Sequence, residues 1–186
     1  MKVSLEQLRA EKHPASKFLC KLHENTPAIQ FLGFSLIDRD KGKVYFSHQN
    51  KEVPNFAPID DSNLDAEFTK KVEALRHSNF RFPKDVLTAK NMRSVLKLKN
   101  GPKPIQNLVM LEKHFFRGEF VTQFEFHLDA LAPHELKEWV TDYQAYQPSP
   151  ERLKEILAAP GHSTSDTFLL ANGTLIAHHK ASYVYE

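Results

Sequence analysis

From Asn107 the chain reads NLVMLEKHFF, breaks at Arg117-Gly118, and resumes as EFVTQFEFHLDAL. Strict alternation over runs this long fits a strand, whose side chains point to opposite faces with a period of two. In the second run Phe124, Phe126, Leu128 and Ala130 share one face, and Gln123, Glu125, His127 and Asp129 share the other. A chain containing this pair must build a sheet with a Phe-rich inner surface, and it must find something to cover that surface.

Other segments supply more strands. AIQFLGFSLIDRD, the turn Asp40-Lys41-Gly42 and KVYFSH read as a hairpin. Ser94–Lys99 is a strand stopped by Asn100-Gly101-Pro102, and TFLLA and TLIAHHKASYVY flank Asn172-Gly173, the strongest short hairpin signal. Residues 49–66 are polar with two prolines and read as a loop. Phe68–Phe82 is an uneven strand candidate ending at Pro83, with a helix through Leu64–Arg76 as the alternative. PHELKEWVTDYQAY fits loop or helix.

Helices are few. Ser4-Leu5-Glu6-Gln7 has the form of a capping box, Pro14 interrupts, and Ala15–Leu22 reads as a further helical turn or two. Ser149-Pro150 starts a short helix that Pro160-Gly161 ends, near residues 149–159. Seven or more strands in 186 residues predict an all-β, antiparallel β-sandwich over residues 25–186, preceded by an N-terminal helical segment over residues 1–24.

Composition narrows function. A formal charge of +2 with scattered lysines argues against a nucleic-acid groove. One cysteine, Cys20, precludes an internal disulfide and fits a reducing compartment, where it reads as a packed small residue. No apolar run approaches the about 18 residues of a membrane span, and the N-terminus lacks a signal-peptide core. Lys2 after Met1 excludes myristoylation of this chain itself. A soluble, cytoplasmic monomer is expected. Fourteen Phe against one Trp and five Tyr is lopsided. The rings fill a core, or they line a slot for an acyl chain.

Glu112 and His114 lie two apart on a strand, on the face that also carries Leu108, Met110 and Phe116. Polar groups on an apolar face need partners. They bond each other or nearby backbone, act as an acid–base pair, or form a polar collar at the mouth of an apolar cavity. No nucleophile or oxyanion donor can be placed beside them, so no catalytic residue is assigned. His178-His179 looks like a metal pair, but neighbours on a strand face opposite ways, and no metal or cofactor is expected. GxGxxG, P-loop, HExxH and GxSxG motifs are absent.

The stretches LEKHFFRGEFVTQFEFHLDALAP, SDTFLLANGTLIAHHKASYVY, NTPAIQFLGFSLIDRDKGKVYF and FRFPKDVLTAKNM resemble the lipid-binding chaperones related to the delta subunit of the rod cyclic-GMP phosphodiesterase. Within that family the chain is similar to the acyl-binding, "uncoordinated" branch, from about Leu5 to the C-terminus. The resemblance implies an immunoglobulin-like sandwich with an apolar cavity between its sheets. That cavity would take the N-terminal myristoyl-type chain of lipidated cargo proteins. Cargo would be delivered to membranes, typically of the cilium or flagellum or near the basal body, and released by a GTP-bound Arf-like GTPase. The residues expected around the lipid are Phe31, Phe34, Phe80, Val86, Phe124, Phe126, Tyr143, Leu169 and Tyr183. Glu112 and His114 would form the polar mouth, with Glu112 near the first amides of the cargo. Phe80 stands where the acyl branch has Tyr, Val86 where it has Phe, and Leu169 where it has Tyr. Trp139 matches the prenyl branch. A prenyl-binding carrier and a structural module with a filled core are the alternatives.

Overall fold

The computed structural model describes residues 3–49, 65–74 and 76–186. Two sheets face each other. One has four strands, ordered β2 (Lys43–Gln49), β1 (Gln30–Asp38), β4 (Asn91–Lys99) and β7 (Leu136–Gln144). The other has five, ordered β3 (His77–Phe82), β9 (Thr174–Tyr185), β8 (Ser163–Ala171), β5 (Leu108–Phe116) and β6 (Glu119–Leu128). All pairs are antiparallel except β3 with β9, which run parallel. The all-β sandwich expected from alternation is therefore present, with one parallel edge strand in place of a wholly antiparallel arrangement.

Local chemistry sets the turns. Asn172 and Gly173 both have positive φ (50° and 77°), as a two-residue hairpin with the right twist requires. The Asn172 side chain also accepts hydrogen bonds from the Gln106 and Asn107 amides, at 2.9 and 3.2 Å. Arg117 and Gly118 turn β5 into β6 in the same left-handed conformation. Ser4 and Gln7 exchange the two hydrogen bonds of a capping box at the start of α1 (Leu5–Ala10). Ser149 caps α3 (Pro150–Ala158) by accepting from the Arg152 amide.

Four segments differ from the sequence reading. Ala15–Leu22 is irregular rather than helical, and only Leu22–Glu24 forms a 3-10 turn. Phe68–Phe82 divides into α2 (Ala66–Ala74) and β3, so each competing reading holds for half of it. The segment with helix-forming Leu, Lys and Glu at 136–138 is strand β7. Tertiary pairing overrides propensity there: Trp139 lies opposite Leu96, Tyr143 opposite Met92, and Arg93 holds Asp142 with two hydrogen bonds of 2.7 and 2.9 Å on the outer face. Most of the loop read at 49–66 lies outside the described residues, but Gln49 ends β2 and Ala66 begins α2.

One end of the sandwich is closed by apolar packing. Leu98, Ile105, Leu108 and Leu131 are at most 1% exposed, with Trp139, Leu169 and Ile176 around them. Burying each such side chain contributes about 1.5–3 kcal/mol. The turn after β4 is tied to this core through Asn100, whose side-chain amide donates to the Lys103 and Ala132 carbonyls at 2.8 Å each. The outer face of the five-stranded sheet is covered by the N-terminal segment, with Leu8 and Cys20 packed on Val109, Leu111, Phe168 and Leu170.

Gly101 sits where a Cβ would fall 2.0 Å from the Pro27 carbonyl oxygen. Gly101→Ala must push the two segments apart, and overpacking of this kind costs about 1–3 kcal/mol. Urea unfolding should show a lower midpoint for this variant, and an unchanged midpoint would mean the Pro27 segment moves freely.

Candidate functional site

Between the closed end and the 3-10 turn at Lys84–Thr88, the sheets enclose a cavity of about 730 Å³. That volume falls in the range of sites for small apolar ligands, roughly 300–1,000 Å³. Its lining is predominantly apolar and aromatic. All eleven residues singled out from the sequence border it: Phe31, Phe34, Phe80, Val86, Glu112, His114, Phe124, Phe126, Tyr143, Leu169 and Tyr183. Trp139 is not among the bordering residues but is buried in the closed end.

The rings form a chain around the space. Phe34 meets Phe46 (centroids 6.0 Å), and Phe46 meets Phe80 edge-on across the sheets (5.1 Å). Phe80 stacks on Tyr183 (5.8 Å), which neighbours His114 (5.9 Å). His114 meets Phe124 (5.7 Å), and Phe124 crosses back to Tyr143 (4.9 Å). The two sheets are thus bridged by aromatic pairs at both edges, β2 to β3 on one side and β6 to β7 on the other. Such pairs add about 0.5–1.5 kcal/mol each beyond their burial. Phe46 was missed as a site residue. Its alternation with Tyr45 and Ser47 was visible, but nothing in the sequence said which face would look inward, and a register shift in β2 between the partners of Leu36 and Ile37 decides it.

Polar groups gather on one wall in two adjacent rows. Across the strands, His179, Thr167 and Glu112 lie in register, and beside them Ser165, His114 and Thr122. All six border the cavity, while the opposite wall offers mainly Phe34, Leu36, Phe46, Met92 and Leu96. Glu112 Oε1 and His114 Nε2 are 3.2 Å apart, in ion-pair contact, and both side chains are about a quarter exposed. Burial, reinforced by the Glu112 charge, raises the Tyr143 and Tyr183 phenols and pushes Tyr185 up to about 12. These hydroxyls therefore stay protonated and can donate. Of the sequence readings of Glu112 and His114, acid–base catalysis fits least. Ser165, opposite His114 on β8, shares its hydroxyl with Tyr183 Oη at 2.7 Å rather than with the imidazole.

His178 and His179 separate as strand geometry requires. His178 faces outward and is fully buried, with Nε2 3.0 Å from Asp166 and Nδ1 accepting from the Leu19 amide at 3.1 Å. That pattern fixes the neutral tautomer with the hydrogen on Nε2. Among the described residues, no group of three or more His, Cys, Asp or Glu is placed to hold a metal ion. No helix of the described residues is long and apolar enough to cross a membrane.

An apolar cavity inside a two-sheet sandwich, with a polar band on one wall, has the make-up of a site for an amphipathic ligand. The family profile described as GMP-PDE, delta subunit, matches residues 23–185, and the chain belongs to that family. The family is one of lipid-binding carriers, and the protein is not an enzyme. The chain is 26% identical over 171 residues to zebrafish (Danio rerio) "Protein unc-119 homolog B", covering 92% of this chain and 69% of that protein. It is 27% identical over 169 residues to Caenorhabditis elegans "Protein unc-119", covering 91% and 73%, and 27% identical over 194 residues to Xenopus laevis "Protein unc-119 homolog B-A", covering 98% and 76%.

The cavity histidine gives a pH prediction. Burial, and after it the charge of Arg76, pushes His179 down from 6.5 to about 4. Below pH 6.5 the unfolded chain takes a proton that the folded site refuses, so folding stability falls as pH drops from 6.5 towards 4. Thermal unfolding across that window should show a declining midpoint, and His179→Phe should flatten part of the decline. His178, lowered by burial in the same direction, supplies a further part. A slope unchanged by His179→Phe would show that its imidazole titrates normally.

Proposed function

We propose that the protein binds the N-terminal fatty-acyl chain of lipidated proteins, shields it between its sheets, and delivers the cargo to membranes. The observation that carries this reading is the polar band on the wall of an otherwise apolar, ring-lined cavity. Each methylene buried contributes about 0.8 kcal/mol, so a fourteen-carbon tail supplies roughly ten kcal/mol before the costs of association. Glu112 and His114 then meet the acyl carbonyl and the first amides of the cargo, where an apolar wall would leave them unpaired. The resemblance to the acyl-binding branch supports a myristoyl-type ligand, and the relatives named unc-119 agree with that branch. On the same resemblance, we extend the reading to release by a GTP-bound Arf-like GTPase and to a ciliary or flagellar destination. Phe80 contributes a ring but no hydroxyl to the acyl carbonyl, which leaves head-group contacts to Glu112, His114 and the Tyr143 and Tyr183 phenols.

A fluorescent myristoylated Gly-peptide should raise polarisation on adding the protein, and its unacylated twin should not. Leu169→Trp, which fills the space beside Met110, should abolish the signal. Glu112→Gln should weaken the acyl-peptide about tenfold or more, since hydrogen bonds to charged groups contribute about 1.5–3 kcal/mol. It should leave free myristate equal or tighter, because a carboxylate repelled by Glu112 gains when that charge is removed. A farnesylated peptide that outcompetes the myristoylated one would transfer the reading to a prenyl ligand.

A further inference from the structure

The five-stranded sheet carries a second built site on the face away from the cavity. Residues 12–20 cross that face without joining a strand ladder. Their main chain is held by side chains. Asp166 Oδ2 accepts from the Ala15 amide (2.7 Å), and Lys180 Nζ donates to the Ala15 carbonyl (2.6 Å). His178 Nδ1 accepts from the Leu19 amide (3.1 Å), and Arg76 donates to the Cys20 carbonyl (2.7 Å). Just upstream, buried Lys113 caps the end of α1 by donating to the Leu8 carbonyl (2.5 Å) and to that of Glu11. The strap's one aromatic anchor, Phe18, lies edge-on to His178 (5.3 Å) and beneath the Arg76 guanidinium (3.9 Å).

Three of these holders, Asp166, His178 and Lys180, form one network. Asp166 is 2% exposed and takes hydrogen bonds from Ala15, from His178 and from Lys180. Burial opposes its charge, but those donors outweigh burial and hold the carboxyl below its usual range. Removing the carboxylate takes from Lys180 and His178 their shared acceptor and frees the strap's Ala15 amide.

The same strands build the cavity wall. Asp166 lies between Ser165 and Thr167 on β8, and His178 and Lys180 flank His179 on β9; Ser165, Thr167 and His179 all border the cavity. Lys180 borders both the cavity and the depression beside Pro14. A change in the pitch of β8 or β9 at one face is therefore felt within one residue at the other.

We infer that residues 12–20 are a detachable strap, locked by the Asp166–His178–Lys180 network, whose docking and the filling of the cavity reinforce each other. A filled cavity fixes the alternate residues of β8 and β9 and so presents the lock in its closed geometry. An undocked strap lets those strands move and weakens the grip on the ligand. The coupling is reciprocal, as linkage requires. It rests on the cavity being a ligand site, as proposed above, but not on the ligand being an acyl-peptide.

The strap exposes Lys12 and Lys17, and Lys21 is exposed just beyond it, so limited trypsin digestion read by mass spectrometry reports its docking. Two variants loosen it from opposite sides: Asp166→Asn on the sheet, and Phe18→Ala on the strap itself, which leaves both sheet cores untouched should the first fail to fold. Ligand affinity is read with two probes, a fluorescent polyene fatty acid and the myristoylated peptide. Only the signal lost in Leu169→Trp is counted. Each variant is expected to be cut at the strap lysines about fivefold faster or more, and to bind probe at least about fivefold more weakly, the lower range of coupling between distinct sites. Filling the wild-type cavity should slow the cleavage. The proposal is overturned if the strap is cut no faster in either variant, if it is cut faster with probe affinity unchanged, or if neither probe enters the cavity. Fatty-acid binding that responds to the strap, with no binding of the peptide, would sink the acyl-cargo reading and leave the strap coupling standing.

Discussion

A ring-lined space of this size must be kept open, because apolar walls gain free energy by closing on each other. The edge-on contact Phe46–Phe80 and the tilted contact Phe124–Tyr143 set the separation. Each joins an edge strand of one sheet to an edge strand of the other, and each ring is too large and too stiff to let the sheets settle closer. Leucine or valine at these positions would supply similar burial with less reach. Phe46, Phe80 and Phe124 thus act as spacers at the two edges, while smaller residues such as Ser94, Thr167 and Leu169 face the middle.

Much of this could be read before the structure, and the parts that could not have physical reasons. Alternation placed Phe124 and Phe126 on one face and Glu112 and His114 on another shared face, because a strand leaves side chains only two directions. It could not show that the two faces look into the same space, since that depends on the order β8-β5-β6 and on the register of Glu112 with Phe124 and Thr167. Family resemblance supplied Phe80, Val86, Leu169 and Tyr183, which no periodicity would have selected. The strand at 136–144 was hidden because its outer residues Leu136 and Glu138 favour helix, and only pairing with β4 makes Trp139 and Tyr143 the deciding side chains. The parallel pairing of β3 has no local signature at all, because it depends on where the chain re-enters the sheet.

The polar band shows why the site suits a carrier. Glu112 and His114 lie in ion-pair contact, and Ser165 shares a hydrogen bond with Tyr183. A nucleophile must be poised and partly unsatisfied, whereas a recognition group must be satisfied both empty and full. Self-paired groups that can exchange one partner for a ligand amide meet the second requirement. They let an amphipathic ligand enter without leaving a buried charge stranded when it departs.

The two faces of the five-stranded sheet then stand in an informative contrast. On the cavity side the polar groups stand in two short rows among rings, with contacts between Glu112 and His114 and between Ser165 and Tyr183. On the outer side the buried Lys113, Asp166 and His178 and the half-buried Lys180 spend their bonding capacity on the main chain of residues 8–20. A strap meant only to cover apolar surface would use side chains like Leu8 and Cys20, which already pack there. Main-chain recognition by buried charges is costly to build, because each charge must be desolvated and then wholly satisfied. It is also all-or-none, since loss of the segment strands several charges together. Placing such a device on strands whose alternate residues line the cavity turns the sheet itself into the connection between the two.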